Sequence, residues 1–436
     1  DIDFGHLEFI SLLSSTKYSE KAVGYMAVSL LLRPGDQLFT LVINSVRNDL
    51  KNQSTYVQSL ALSAISNING TELTEALTSD VSQLLVSPME TSAAYTMGAN
   101  AEIEIKNKAF VCKKASLALL SFYRVNNECI DVAEWLRKLS KILEDRDLGV
   151  VTSGLSLLLE LANSSNNTSI FDPLVPYVVS ILTRLVVDKS CPVDYLYYKI
   201  PSPWLQVKCL RFLQLFPVPE SNSSGGRQDE LLYEVLTKIF SHTDMAENAN
   251  KSNAEHAILF ETINLIISYG NNVKLSLRDS SLSLLGKFIT VKDSNIRYLG
   301  LDALTKIARL EGSKIVQEYQ YSVIDSLKDI DISVKKRALE LLYVMVDNEN
   351  CVEIVGELVT NLAIAENNIK EDYVVKIAIL AEKYTTDFTW YLDTLCKVLL
   401  VAGEYVAEAI WYRMVQIVIN HVDIHPYAAN KMFDIV

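Results

Sequence analysis

One spacing recurs along this chain that a helix uses and a strand cannot. A polar opener is followed by an aliphatic residue three positions on, a small residue at seven and another aliphatic at eight. It reads Glu20, Val23, Ala27, Val28, then Ser54, Val57, Ala61, Leu62, then Asp147, Val150, Gly154, Leu155. It returns as Asp293, Ile296, Gly300, Leu301 and as Asp331, Val334, Ala338, Leu339. The third, seventh and eighth positions fall on one helical face. An Asp or Ser oxygen at the opener can accept from the first unpaired backbone N–H groups, so each opener predicts an N-cap. The small residue predicts a place where a neighbouring helix comes close.

Openers at 20 and 54 stand 34 apart, and those at 293 and 331 stand 38 apart. That spacing fits a two-helix repeat of the HEAT or armadillo kind. Such a unit cannot bury its apolar face alone, so repeats stack into a continuous core. The chain is therefore expected to be all-α, a single HEAT/armadillo-like α-solenoid trunk segment over residues 1–436, with about twenty helices and no strand. With only 15 Gly and 10 Pro in 436 residues, there is little material for the turns of a β-rich fold. Two flexible loops are expected, at about 88–107 and 220–228, where apolar periodicity lapses. The Pro-rich stretch from Cys191 to Pro203 is expected to be an irregular connection.

Charge narrows the function classes. Forty basic residues against 53 acidic ones leave a net charge of −13, a poor footprint for nucleic acid. The six cysteines form no CxxC pair and suit a reduced cytosolic chain. Asn-Xaa-Ser/Thr triplets such as Asn69-Gly-Thr are expected by chance in an Asn- and Ser-rich sequence. No basic and apolar leader opens the chain, and no uncharged apolar run reaches the roughly 18 residues that span a bilayer.

No phosphate-loop, dinucleotide or nucleophile-elbow motif occurs. With few histidines and no nucleophile set, the chain is expected to be no enzyme, with no cofactor and no metal. His421 and His425 stand four apart, a spacing that can hold zinc on a helix, but Pro426 follows and a surface turn is expected instead. Trp390, Tyr391, Trp411 and Tyr412 are expected in the core. The densest basic group is Lys106, Lys108, Lys113 and Lys114, with Lys335, Lys336 and Arg337 second. Cations near an anionic leaflet are each worth about 1 kcal/mol, so the first group is a candidate for weak anionic-lipid contact. A solvated helix face is the plainer reading of both.

Three stretches carry a family likeness. They are Asp1-Ile-Asp-Phe-Gly-His with Leu12-Leu-Ser-Ser-Thr-Lys-Tyr, then Tyr197-Tyr-Lys-Ile-Pro-Ser-Pro-Trp, then Val374-Val-Lys-Ile-Ala-Ile-Leu-Ala-Glu-Lys-Tyr through Trp411-Tyr-Arg-Met-Val-Gln-Ile-Val-Ile-Asn. Together they resemble the trunk of the adaptin large chains, the alpha-adaptins of adaptor protein complex 2 in particular. The resemblance implies an α-solenoid scaffold of a clathrin adaptor, supporting cargo selection and coat assembly in endocytosis. It implies a small sigma-type chain, a second large beta-type chain and a medium mu chain as partners. It places the chain in the cytoplasm, on the inner face of the plasma membrane at coated pits. Phosphoinositide binding would lie mainly in earlier N-terminal helices, and contacts with clathrin and accessory proteins in a hinge and appendage, none of which is matched here. A gamma-type large chain, a nuclear transport receptor and a phosphatase scaffold are the alternative readings.

Overall fold

The computed structural model describes residues 4–33, 35–36, 38–68, 70–85, 99–218, 226–241, 248–385 and 387–435. Among them lie 21 α-helices, close to the expected number. The residues form two compact units, Asp1–Leu265 and Ile266–Val436.

In both units a helix touches its chain neighbour and the next but one. In the first, Thr55–Ile68 packs on Ala99–Val125, which packs on Leu148–Ser164, which packs on Pro203–Leu213; in the second layer Phe39–Leu50 meets Thr71–Leu84. In the second unit Ser294–Glu311 packs on Ile332–Met345 and that helix on Asn367–Lys383, while Cys351–Ile364 meets Phe388–Ala402. This two-layer contact order is that of a HEAT/armadillo-like solenoid, in which each repeat covers the apolar face of the last.

The repeat pattern reports the caps well. Asp147 Oδ1 accepts from the Gly149 and Val150 N–H groups at 2.7 and 3.2 Å, Asp293 Oδ1 from Asn295 at 2.8 Å, and Asp331 Oδ1 from Ser333 at 2.8 Å. Val150, Leu155, Val334, Ala338 and Leu339 are buried. Gly154 faces Ile142 so closely that a Cβ there would collide with its Cγ2, and at Gly300 a Cβ would stand 3.2 Å from Ile289 Cγ2. The small residue thus sits where two helices touch, as its spacing predicts.

The first copy is out of register. Glu20 lies inside Tyr18–Leu31, whose N-cap is Lys17, and Val23 is 52% exposed. Counted from Lys17, the small position falls on Gly24, where a Cβ would meet Phe9 O at 3.0 Å and Leu12 Cβ at 3.1 Å. Glu20 was a tempting opener because its carboxylate does bind the chain before the helix, accepting from Ser15 Oγ at 2.5 Å and Lys17 Nζ at 2.9 Å.

The loop expectations need correction at their edges. Residues 88–98 and 220–225 lie outside the described residues, but 99–107 are helical within Ala99–Val125 and 226–228 within Gly226–Ser241. Residues 99–107 have no apolar stripe to betray them: Ile103 is exposed, and Glu104 pairs with Lys108 at 2.8 Å along the outer face. Such i,i+4 pairs support a helix without a buried side.

The Pro-rich connection is also more ordered than expected. Leu196–Tyr197 and Ile200–Pro201 form a two-stranded antiparallel hairpin, with Tyr197 opposite Ile200. Its two turn residues, Tyr198 and Lys199, have φ of 47° and 69°. A two-residue hairpin turn of the I′ type needs positive φ at both places and normally recruits Asn and Gly for it. Residues Thr168–Val186 form a helical run with a mean hydropathy of 1.4, long and apolar enough to cross a membrane by composition. It carries Asp172 and Arg184, and its Val178, Leu182 and Leu185 are fully buried in the stack.

Candidate interaction surfaces

Helical geometry scatters the first basic group. At about 100° per residue, Lys106 and Lys113 nearly eclipse each other, Lys108 lies about 200° round from Lys106, and Lys114 about 80°. Lys106 is exposed. Lys108 pairs with Glu104, and Lys114 stands 5.9 Å from the centre of the Phe110 ring. Lys113 turns inward to Asp147 Oδ2 at 3.0 Å and to the Tyr195 hydroxyl at 3.3 Å.

Those three groups form a lock. Asp147 caps Leu148–Ser164, and its Oδ1 also accepts from Tyr195 Oη at 2.6 Å. Gly149 leaves room for them: a Cβ there would stand 2.7 Å from Tyr195 Oη and 2.9 Å from Lys113 Nζ. Burial pushes the Asp147 pKa up, but the bonds from Tyr195 and Lys113 outweigh it and hold the carboxyl below its ordinary range. Burial pulls Lys113 down, and its bonds to Asp147 and Tyr195 more than reverse that. The lock fastens the segment carrying the hairpin to the start of a core helix. A sequence gives the Asp147 cap; it offers no sign of a tyrosine 48 residues later closing on it.

The second basic group is neutralised in place. Lys335 pairs with Glu366 at 2.8 Å and Lys336 with Asp372 at 3.2 Å. Arg337 reaches Glu340 at 2.7 Å and Asp302 at 3.3 Å, over the ring of Tyr298. Several of these belong to a wider series that ties neighbouring repeats together within each unit. Arg47–Asp80, Arg124–Glu160, Arg278–Glu311, Arg309–Glu340, Lys335–Glu366 and Arg413–Glu382 all join residues 31 to 36 apart. The sequence shows this series only to a reader who already knows the repeat length.

A buried pair sits in the first helices. Lys21 Nζ donates to Asp49 Oδ1 at 2.7 Å, to Oδ2 at 2.9 Å and to the Leu13 carbonyl, and Tyr25 Oη donates to Asp49 Oδ2 at 2.8 Å. Lys21 and Asp49 are 7% and 4% exposed. A cleft of about 780 Å³ opens beside them, with Ser15, Ser45 and Asn48 in its wall.

The aromatic group divides. Tyr391 is buried and Trp390 half-buried, as expected, but Trp411 and Tyr412 are exposed and stack on each other with centroids 4.6 Å apart. They lie on the outer face of Glu408–Asn420, whose buried face is carried by Met414 and Ile417. His421 stacks on Phe388 at 3.8 Å, whereas the His425 ring nitrogen lies 2.9 Å from the Val418 carbonyl, so the two rings serve different partners. No group of three or more His, Cys, Asp or Glu with metal-holding geometry occurs among the described residues. All six cysteines are free thiols.

Known proteins match this chain along its whole length. It is 43% identical to the AP-2 complex subunit alpha-2 of Dictyostelium discoideum over 438 residues, 41% to the AP-2 complex subunit alpha-1 of Arabidopsis thaliana and 34% to the AP-2 complex subunit alpha of Schizosaccharomyces pombe. These alignments cover 99–100% of the chain and 40–47% of the relatives, so the chain spans less than half of their length. Among known structures, a chain of a homology model of the full-length AP-3 complex in an intermediate open conformation aligns with a TM-score of 0.56 at 18% identity, covering 99% of this chain and 71% of that one. Yeast importin-beta aligns with a TM-score of 0.56 at 12% identity, covering 95% of this chain and 49% of that one. At such identities these two speak for the fold alone. The family profile described as the adaptin N terminal region matches residues 1–436, and the chain belongs to that family.

Proposed function

We propose that this chain is the trunk segment of the large alpha chain of an AP-2 type clathrin adaptor, a scaffold that supports cargo selection and coat assembly and carries out no chemistry. The observation that carries this reading is identity of 34–43% to AP-2 alpha subunits of a slime mould, a plant and a yeast, sustained over the full chain. A solenoid fold suits the role, since stacked repeats present long surfaces to partner chains. In this reading the partners are a small sigma-type chain, a beta-type large chain and a mu chain, and the place of work is the cytosolic face of the plasma membrane.

Membrane contact by this stretch is weak in the same proposal. Lys108 and Lys113 are already paired with Glu104 and Asp147, and the group does not share one face. Net charge of −13 opposes general attraction to an anionic leaflet. Co-expression with a sigma-type and a beta-type chain is the test. Co-elution as one stoichiometric complex is expected. Failure to recruit either, together with capture of a small GTPase, would favour the transport-receptor reading instead.

A further inference from the structure

Among the described residues, the non-glycine positions with positive φ all fall between 189 and 202: Lys189 at 51°, Tyr198 at 47°, Lys199 at 69° and Ser202 at 38°. Such conformations persist only where the surroundings over-determine them, and they cluster at ligand sites. Here the surroundings are specific. Tyr195 is held by the Asp147 lock, Gln206 Nε2 donates to the Pro201 carbonyl at 2.6 Å, and Asn250 Nδ2 donates to Tyr198 Oη at 2.9 Å. Ser202 is the N-cap of Pro203–Leu213, so its left-handed backbone sets the direction in which Trp204 leaves the hairpin.

This frame holds three rings in contact. Tyr197 meets Tyr198 edge-on with centroids 4.8 Å apart, and meets Trp204 at 5.6 Å and a tilt of 50°. Tyr198 is 44% and Trp204 55% exposed, an unusual amount of ring to leave in water. The Tyr197 hydroxyl and the Trp204 indole N–H have no hydrogen-bond partner among the described residues. Tyr198 Oη accepts from Asn250, which leaves its own hydrogen to donate. An indole N–H can only donate. The surface therefore presents ring faces together with three unused N–H and O–H donors.

We propose that this aromatic group docks a proline-rich segment of a partner protein in the polyproline II conformation. Proline offers a carbonyl acceptor and no N–H, and a polyproline II strand leaves its carbonyls unpaired along its length. Those acceptors match the indole N–H and the tyrosine hydroxyls, and the pyrrolidine rings match the aromatic faces. Ring spacings of 4.8 and 5.6 Å are close to the ~6.2 Å that two residues of such a strand advance. A partner strand adding to the hairpin would find only two residues along either edge. Insertion into a bilayer needs rings that project, whereas Tyr198 is tied back to Asn250 at the start of Ala249–Tyr269. The proposal does not depend on which adaptor complex the chain serves.

The test is fluorescence anisotropy with the full chain and a labelled decaproline peptide. Saturable binding is expected, at least about tenfold tighter than that of a labelled Gly-Ser peptide of the same length. Trp204→Ala should weaken decaproline binding by at least about tenfold. Trp204→Phe keeps a ring but loses the N–H donor, and should weaken it by about threefold or more. Should Trp204→Ala fail to fold, as judged by its thermal melt, the Phe variant and Tyr197→Phe carry the test. Absence of saturable binding, equal affinity for the two peptides, or decaproline binding that no variant weakens would each overturn the proposal. So would a chain that ignores decaproline but floats with phosphatidylserine vesicles in a manner lost in Trp204→Ala, which would assign the rings to a bilayer.

Discussion

Replacing Lys21 by Met should destabilise the first unit far more than its loss of one charge at a surface would suggest. Asp49 is 4% exposed and takes two bonds from Lys21 and one from Tyr25. Without Lys21 the carboxylate keeps only the tyrosine hydroxyl, and breaking a buried pair in this way costs about 3–5 kcal/mol. For a unit of this size each kcal/mol moves the midpoint by about 2–4 °C, so a fall of about 6–20 °C is expected. Asp49→Leu alone strands an ammonium beside the Leu13 carbonyl and should cost a similar amount. The double variant, Lys21→Met with Asp49→Leu, leaves no buried charge and should recover most of the loss, to within about 2 kcal/mol of the parent. Urea titration followed by far-UV circular dichroism measures all three. A Lys21→Met cost below about 1 kcal/mol, typical of an exposed pair, would refute the argument, as would additive losses in the double variant.

Three further outcomes follow from the packing. Gly154→Ala should cost about 1–3 kcal/mol by thermal melt, because its Cβ collides with Ile142 Cγ2, and in an Ile142→Ala background, which lacks that methyl, the same change should cost less. Lys199→Gly should raise the melting midpoint, relieving a left-handed backbone that costs about 1–2 kcal/mol, less the entropy glycine adds to the unfolded chain. The Asp147–Lys113 pair should stabilise between two pH limits. A carboxyl held below its ordinary value contributes above the unfolded pKa of about 3.9 and loses that as pH falls through the folded one. A raised Lys113 contributes below about 10.4 and loses it as pH rises further. Asp147→Asn should flatten the acid limb of a stability-against-pH curve; an unchanged limb would show that the pair is not responsible.

What could be read in advance divides along physical lines. Caps and close-packed small residues are local, so Asp147, Gly154, Asp331 and Ala338 announce themselves by spacing. The misplaced first copy shows the limit: Lys17 is a poor cap residue, and Glu20 three positions on looks better than the true boundary. Residues 99–107 give no helical sign in the sequence because the exposed residues there, Ile103, Glu104 and Lys106, mark no buried stripe. The Asp147 lock is invisible for another reason: Lys113, Asp147 and Tyr195 span 82 positions of sequence and meet only through the fold. Helical spacing alone places Trp411 and Tyr412 in the core, yet both side chains are exposed on Glu408–Asn420, whose buried residues are Met414 and Ile417.

The ion pairs that tie one repeat to the next join residues 31 to 36 apart. That separation has a meaning during synthesis. At about 5–20 residues per second, the second member of each pair leaves the ribosome about 2–7 s after the first. A repeat that carries such a pair therefore meets its clasp within seconds of emerging, before the distant parts of the chain exist. Assembly can proceed from the N-terminal end as a series of short closures, each with the modest entropy of a loop of about thirty residues. A ribosome stalled in mid-chain would then carry a folded stack with one uncovered face, and that last face, not the whole nascent chain, is what a chaperone would need to shield.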